Sequence, residues 1–240
     1  PIMKIACWSG PRNISTALMR SWSSRIDTFV SDEPFYAYYL KEKKLKHPMY
    51  EEIINYYPNT YDAVVNSITG EIPQSKKIWY QKHMAHHLIN LEDIEWIKGF
   101  HNCFLIRHPK DVINSYIKKN KFYHVDELGY PQQYRLIQYL RKNEKNTIVI
   151  DSSILLKDPR SVLNQWCEEL NIDFDTKMLT WKKGSHSTDG IWWKYWYNNV
   201  INTNQFESFN NKSDSIPKEY QSIYDEALDY YKKLCYFSIK

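Results

Sequence analysis

The chain has 240 residues, 42% of them hydrophobic and 25% charged, with a formal net charge of +4. That length suits an α/β unit with a substantial core, read here as a single domain over residues 1–240. The mild positive charge excludes a nucleic-acid-coating surface and fits an anionic ligand at one place; no secretory leader or membrane-length apolar run is seen.

Residues 2–8 form a short apolar run bounded by Ser9, Gly10 and Pro11, which reads as a buried strand followed by a loop. Ile14, Leu18, Arg20 and Trp22 follow among good helix formers, with Ser15 and Thr16 available as caps. A strand, a tight loop and a helix point free backbone N–H groups and a positive dipole end at an anion. Arg12 adds a fixed charge where a phosphate or sulfate would lie. The loop lacks the second glycine and the Lys-Ser/Thr pair of a Walker A loop.

Residues 27–30 read as a second strand, broken by Ser31, Asp32, Glu33 and Pro34. Glu33 then stands at a strand's carboxyl end, where open α/β sheets bind ligands, or else caps the next helix. Residues 41–46 are a solvated charge run, and residues 47–69 hold two helices around Pro58 and Asn59. Residues 76–81 read as the third strand, delivering Lys82 and His83 to the same ligand end. His83, His86 and His87 lack the glutamate and further ligands of a zinc site, so no metal is expected.

Residues 103–106 read as another buried strand, and Pro109 suits the first turn of the helix after it. A metal-dependent nucleoside triphosphatase typically ends such a strand in an acid that serves magnesium. This strand ends in Arg107 and is followed by Ser115, a pair suited to holding phosphate without metal. Residues 147–150 make a fifth strand; residues 158–171 and 219–235 make amphipathic helices. Between those helices, residues 191–197 are the densest aromatic patch, read as core or as a cover over a ligand. Cys7, Cys103, Cys167 and Cys235 are far apart and read as buried thiols of a reducing, cytoplasmic compartment.

Arg107, Pro109, Asp111 and Ser115, spaced R-x-P-x-D-x-x-x-S after a buried strand, resemble the 3′-phosphate motif of sulfotransferases that use 3′-phosphoadenosine 5′-phosphosulfate (PAPS). The run from Ser9 through Gly10, Pro11, Arg12, Asn13, Ile14 and Ser15 to Thr16 is similar to that family's 5′-phosphosulfate loop, in its arginine-bearing variant. Trp181, Lys182, Lys183 and Gly184, followed by Gly190, Ile191 and Trp192, resemble the late segment that covers the 3′-phosphate. Residues 150–170, with Asp158 and Pro159, resemble a further family strand and helix. Two departures stand out: Ile14 replaces a glycine and so requires negative φ, and the gap from Gly184 to Gly190 is longer than in cytosolic members.

The resemblance implies a P-loop-type three-layer α/β fold, a central parallel sheet flanked by helices. It implies PAPS as donor, the bisphosphate PAP as product, and no metal. Donor contacts would come from Arg12, Asn13, Ile14, Ser15, Thr16, Ala17, Arg107, Ser115, Lys182, Lys183 and Gly184. The acceptor would be a small molecule or carbohydrate offering a hydroxyl or an amine. Glu33 and His83 each match the general base of a different branch, and Arg12 and Lys82 would serve the transferring group. Two other readings stay open: a small-molecule or nucleoside kinase on a related phosphate-loop fold, and a nucleotide-binding protein without catalysis.

Overall fold

The computed structural model describes residues 1–91, 93–210 and 214–239. Five parallel strands form one sheet: β1 (Met3–Ser9), β2 (Thr28–Asp32), β3 (Ile78–Met84), β4 (His101–Ile106) and β5 (Thr147–Asp151), in the order β2-β3-β1-β4-β5. β1 lies at the centre, and all but one of its residues are buried because helices cover both faces. This is why the strand reads as a continuous apolar run instead of an alternating one. The chain leaves β1 toward one edge through β2 and toward the other through β4 and β5. That reversal falls at the carboxyl end of β1, the place where open parallel sheets bind ligands.

Among the described residues, ten α-helices connect and cover the strands. They are α1 (Ser15–Ser23), α2 (Tyr36–Lys43), α3 (Tyr50–Tyr56), α4 (Tyr61–Thr69), α5 (Pro109–Tyr116), α6 (Tyr130–Lys142), α7 (Ser152–Lys157), α8 (Pro159–Glu169), α9 (Trp193–Trp196) and α10 (Gln221–Cys235). On one face Leu18, Met19 and Trp22 of α1 and Leu163 and Trp166 of α8 pack on Ile5, Cys7 and Tyr80. On the other, Ile113 of α5, Leu136 and Leu140 of α6 and Ala227 and Leu234 of α10 pack on Trp8 and Phe104. The two cores and the sheet between them make three layers, as the resemblance implies. A third cluster joins Tyr36 and Leu40 of α2, Ile53 of α3, Trp192 and Tyr197, and it walls the ligand end of the sheet.

Two strand boundaries differ from the sequence reading, with consequences for the site. β2 runs on through Asp32, so the break falls at Glu33, whose φ is 45°. β3 begins at Ile78 and continues to Met84, so Lys82 and His83 lie inside the strand and not beyond it. Consecutive strand residues point to opposite faces. Lys82 and His83 therefore cannot serve the same site.

Candidate active site

The loop after β1 is shaped by three contacts. At Gly10 a Cβ would come within 2.1 Å of the Leu128 carbonyl oxygen, so no side chain fits there. Arg12 takes the left-handed turn, at φ 57°, and Ile14 keeps the negative φ expected of it, at −83°. Asn13 pins the loop to β4: its Nδ2 donates to the Leu105 carbonyl at 3.1 Å while its Oδ1 accepts from the Ile14 N–H at 2.9 Å. Ser15 and Thr16 are not caps, as the sequence reading had them. They occupy the first turn of α1, and Ile14 precedes it without a side-chain cap. The first-turn N–H groups of Ser15, Thr16 and Ala17 have no intrahelical acceptor and line the cavity with the dipole's positive end.

The carboxyl end of β4 supplies the second cation. Arg107 Nη1 donates to the carbonyl oxygen of Arg12, and Arg12 Nε donates to Oγ of Ser115 on α5 at 2.9 Å. Both guanidiniums are half-buried, and burial lowers the pKa of each, with Arg107 lowering that of Arg12 further. Among the described residues no carboxylate lies within ion-pair distance of either arginine. Asp111 offsets part of the burial cost of Arg107 without ion-pairing to it, and two desolvated like charges that no carboxylate pairs are costly unless an anion joins them. Arg12, Asn13, Ile14, Ser15, Thr16, Ala17, Arg107 and Ser115 all line one cavity of about 1470 Å³. That volume exceeds a single drug-sized site and has room for two ligands side by side.

Glu33 and Lys82 line the same cavity beyond α1. The Lys82 side chain is 2% exposed, and its ammonium donates to Thr16 Oγ1 at 2.9 Å, to Glu33 Oε1 at 3.0 Å and to the Tyr197 hydroxyl at 2.7 Å. Asp32 Oδ1 lies 3.3 Å away. Burial alone would lower the lysine pKa, but Asp32 and Glu33 together raise it, so the group stays an ammonium. Burial raises the Glu33 pKa; Lys82 pulls it back, Asp32 pushes it up again, and the net direction is upward. The two partners thus move as an ordinary ion pair would not. One ammonium is divided between two carboxylates, and Glu33, 11% exposed at the cavity wall, is left under-compensated. A carboxylate held in this way is a stronger base than a free one.

The other predicted residues fall elsewhere. His83 is not on the cavity: its ring stacks on Trp8 at 4.6 Å, lies 5.8 Å from Phe35, and bonds through Nε2 to Gln81 Oε1 at 3.0 Å. Burial drives its pKa down to about 3. The expectation that His83 shares the ligand face with Lys82 is therefore corrected by strand alternation. Lys182, Lys183 and Gly184 do not line the cavity either. Trp181 N–H donates to Asn204 and Gly184 N–H to Ile201, at 2.9 and 2.7 Å, a path that leaves both lysines exposed to solvent.

Two residues to which the sequence reading gave no role in the site complete it, Asp32 and Tyr197. Asp32 accepts from the Tyr197 hydroxyl at 2.7 Å and from the Gly190 N–H at 2.9 Å. Both sat in segments already singled out, the break after β2 and the aromatic patch, but nothing local says that they meet. Among the described residues no group of three or more histidine, cysteine or acidic side chains is arranged to hold a metal, and no helix is long and apolar enough to cross a membrane.

The sulfotransferase domain family model matches residues 3–235. Branched-chain-amino-acid aminotransferase-like protein 1 of Arabidopsis thaliana is 32% identical over 231 residues, which are 96% of this chain and 41% of that protein. The chain thus spans well under half the length of the curated relatives it matches. The sulfotransferase domain of the Synechococcus PCC 7002 olefin synthase superposes with a TM-score of 0.61 at 18% identity, covering 95% of this chain and 94% of that one. A sulfotransferase from Alicyclobacillus acidocaldarius gives a TM-score of 0.55 at 11% identity, covering 100% and 98%. At those identities the two solved structures establish the fold alone.

Proposed function

The chain belongs to the sulfotransferase domain family, and from that premise we propose that it moves a sulfuryl group from PAPS to a hydroxyl or amine of a small-molecule or carbohydrate acceptor. The observation that carries this reading is the pair Arg12 and Arg107, two half-buried cations on one cavity, neither ion-paired to a carboxylate among the described residues. A donor with phosphates at both the 3′ and 5′ positions matches two such cations. Arg107 and Ser115 would take the 3′-phosphate, and the Arg12 loop with the first turn of α1 would take the phosphosulfate.

The rest of the cavity fits the transfer step. Glu33 accepts the acceptor's proton as its oxygen or nitrogen bonds to sulfur and the bond from sulfur to the bridging phosphate oxygen breaks. Negative charge grows on that bridging oxygen, and Arg12, Lys82 and the N–H groups of α1 stand where they stabilise it. PAP is released with both its phosphates. The chemistry needs positioning and charge stabilisation, as phosphoryl transfer does.

The test is product mass. The protein is incubated with PAPS and a panel of hydroxyl- and amine-bearing metabolites, and sulfated species are sought. A sulfated product that disappears with Glu33→Gln supports the proposal; ATP-dependent phosphorylated products in its place would favour a kinase.

A further inference from the structure

Lys82 has three protons to give and four oxygen atoms within 3.3 Å. Its position is therefore decided by competition among its neighbours, and they come from three parts of the chain. Thr16 belongs to the phosphosulfate-type loop and helix, Asp32 and Glu33 to the end of β2, and Tyr197 to the segment after α9. Tyr197 is the least local of them, 115 residues from Lys82. Its hydroxyl accepts from Lys82 at 2.7 Å and from Trp192 Nε1 at 3.2 Å, and gives its own proton to Asp32, 2.7 Å from each carboxylate oxygen. Its ring also lies beneath the ammonium, whose nitrogen is 4.6 Å from the centroid. Tyr197 is 5% exposed and Asp32 8%, so water does not stand in for either.

We infer that Tyr197 and Asp32 are positioning residues, which hold the Lys82 ammonium between Thr16 and Glu33 so that one cation serves both the donor loop and the base. The inference rests on the sulfuryl-transfer reading for its catalytic meaning, but its geometry is independent of it. By donating to Asp32, Tyr197 satisfies the other carboxylate that competes for the ammonium, and Asp32 stays at 3.3 Å. Glu33 then keeps its 3.0 Å contact. Without the hydroxyl, Asp32 draws Lys82 toward itself, and Glu33 loses cation. Neutralising Asp32 has the opposite effect, leaving the whole ammonium to Glu33. The charged and titratable groups around Glu33 are thus Asp32 beside it, Lys82 from β3, Tyr36 from α2 and Tyr197.

The experiment is a carboxyl NMR titration of Glu33 in the full chain, with calorimetry of PAP binding on the same samples. Tyr197→Phe keeps the ring and removes only the hydroxyl; the Glu33 midpoint should rise by at least about half a pH unit. Asp32→Asn should lower it, and so reads the same balance should the tyrosine variant fail to fold. In a Lys82→Met background Tyr197→Phe should move the midpoint no further, because the effect runs through the lysine. An unchanged midpoint in both single variants, shifts of the same sign in the two, or an equal shift in the Lys82→Met background would overturn the inference. If the parent protein fails to bind PAP while the midpoints move as stated, the positioning holds and the sulfuryl-transfer reading fails.

Discussion

Arg12 and Ser115 are 103 residues apart in the chain and joined by a 2.9 Å hydrogen bond from Nε to Oγ. The bond fixes the loop after β1 to the first helix beyond β4, and with Arg107 on the Arg12 carbonyl it makes the two segments proposed to bind the donor one surface. Among the described residues the two terminal guanidinium nitrogens of Arg12 donate to no protein group, which leaves them to the proposed donor. Arg12→Ala should therefore lower turnover more than it lowers affinity for PAP, because charge shifts on the transferring group only as the bond breaks. Single-turnover rates and calorimetry on the same variant check this. Parallel losses would reduce Arg12 to an anchor.

Glu33 sits in the left-handed region at φ 45°, a conformation uncommon for a side chain of this kind and costly by roughly 1 kcal/mol or more. The turn aims its carboxylate into the cavity. Glu33→Gln should cut the transfer rate by about 10²–10⁴ with PAP binding intact. Because its pKa is raised, the acid limb of the parent's rate profile should lie above the ordinary carboxylate value near 4.5. A rate profile flat through that region would remove Glu33 from the role.

His83 makes a different, measurable contribution. Its side chain is buried neutral, with a pKa lowered from 6.5 to about 3, so the folded state resists a proton that the unfolded chain accepts. Above pH 6.5 the residue is neutral in both states and costs nothing. As pH falls below 6.5 toward 3, the unfolded state is favoured by roughly 1 kcal/mol for each unit. His83→Phe preserves a ring between Trp8 and Phe35 and should flatten the fall of the unfolding midpoint between neutral and mildly acid pH. Denaturant unfolding across pH reads it; an unchanged slope would show that His83 is not buried as described.

Arg20 of α1 and Asp189 form a two-pronged ion pair at 2.5 and 2.6 Å, with side chains 1% and 0% exposed. Asp189 Oδ2 also accepts from the His186 N–H at 2.8 Å, and its neighbour Gly190 bonds Asp32. Removing one member leaves the other charge buried alone, a loss of about 3–5 kcal/mol. Arg20→Met should show that loss in denaturant unfolding. A double variant with Asp189→Leu should recover much of it, because no unpaired charge then remains. Equal destabilisation in the single and double variants would argue for packing alone.

How far the sequence reached depends on whether a feature is local. β1 and β4 were visible because strands covered on both faces are continuous apolar runs, Arg12 because it lies in a loop between such a strand and a helix, and Arg107 and Ser115 because their spacing is short and fixed. The end of β3 was placed three residues early, and in a strand such an error decides which face each side chain serves. Lys82 and His83 were for that reason assigned together when they point apart. Lys182 and Lys183 were placed at the cavity by likeness of motif, whereas two backbone bonds hold their segment away from it. Asp32 and Tyr197 were missed because a pair 165 residues apart leaves no trace in either neighbourhood.

Arg12 and Arg107 are proposed to form one site for a ligand phosphorylated at both the 3′ and 5′ positions of its ribose. It is tested most directly by calorimetry of PAP and of AMP against the parent and Arg107→Ala, without magnesium. PAP should bind the parent far more tightly than AMP does. In Arg107→Ala the preference should collapse, with PAP affinity lower by tens of fold or more, the loss of about 2–5 kcal/mol that removing a buried charge partner brings. Equal affinity of the parent for PAP and AMP, or full PAP affinity in Arg107→Ala, would contradict it.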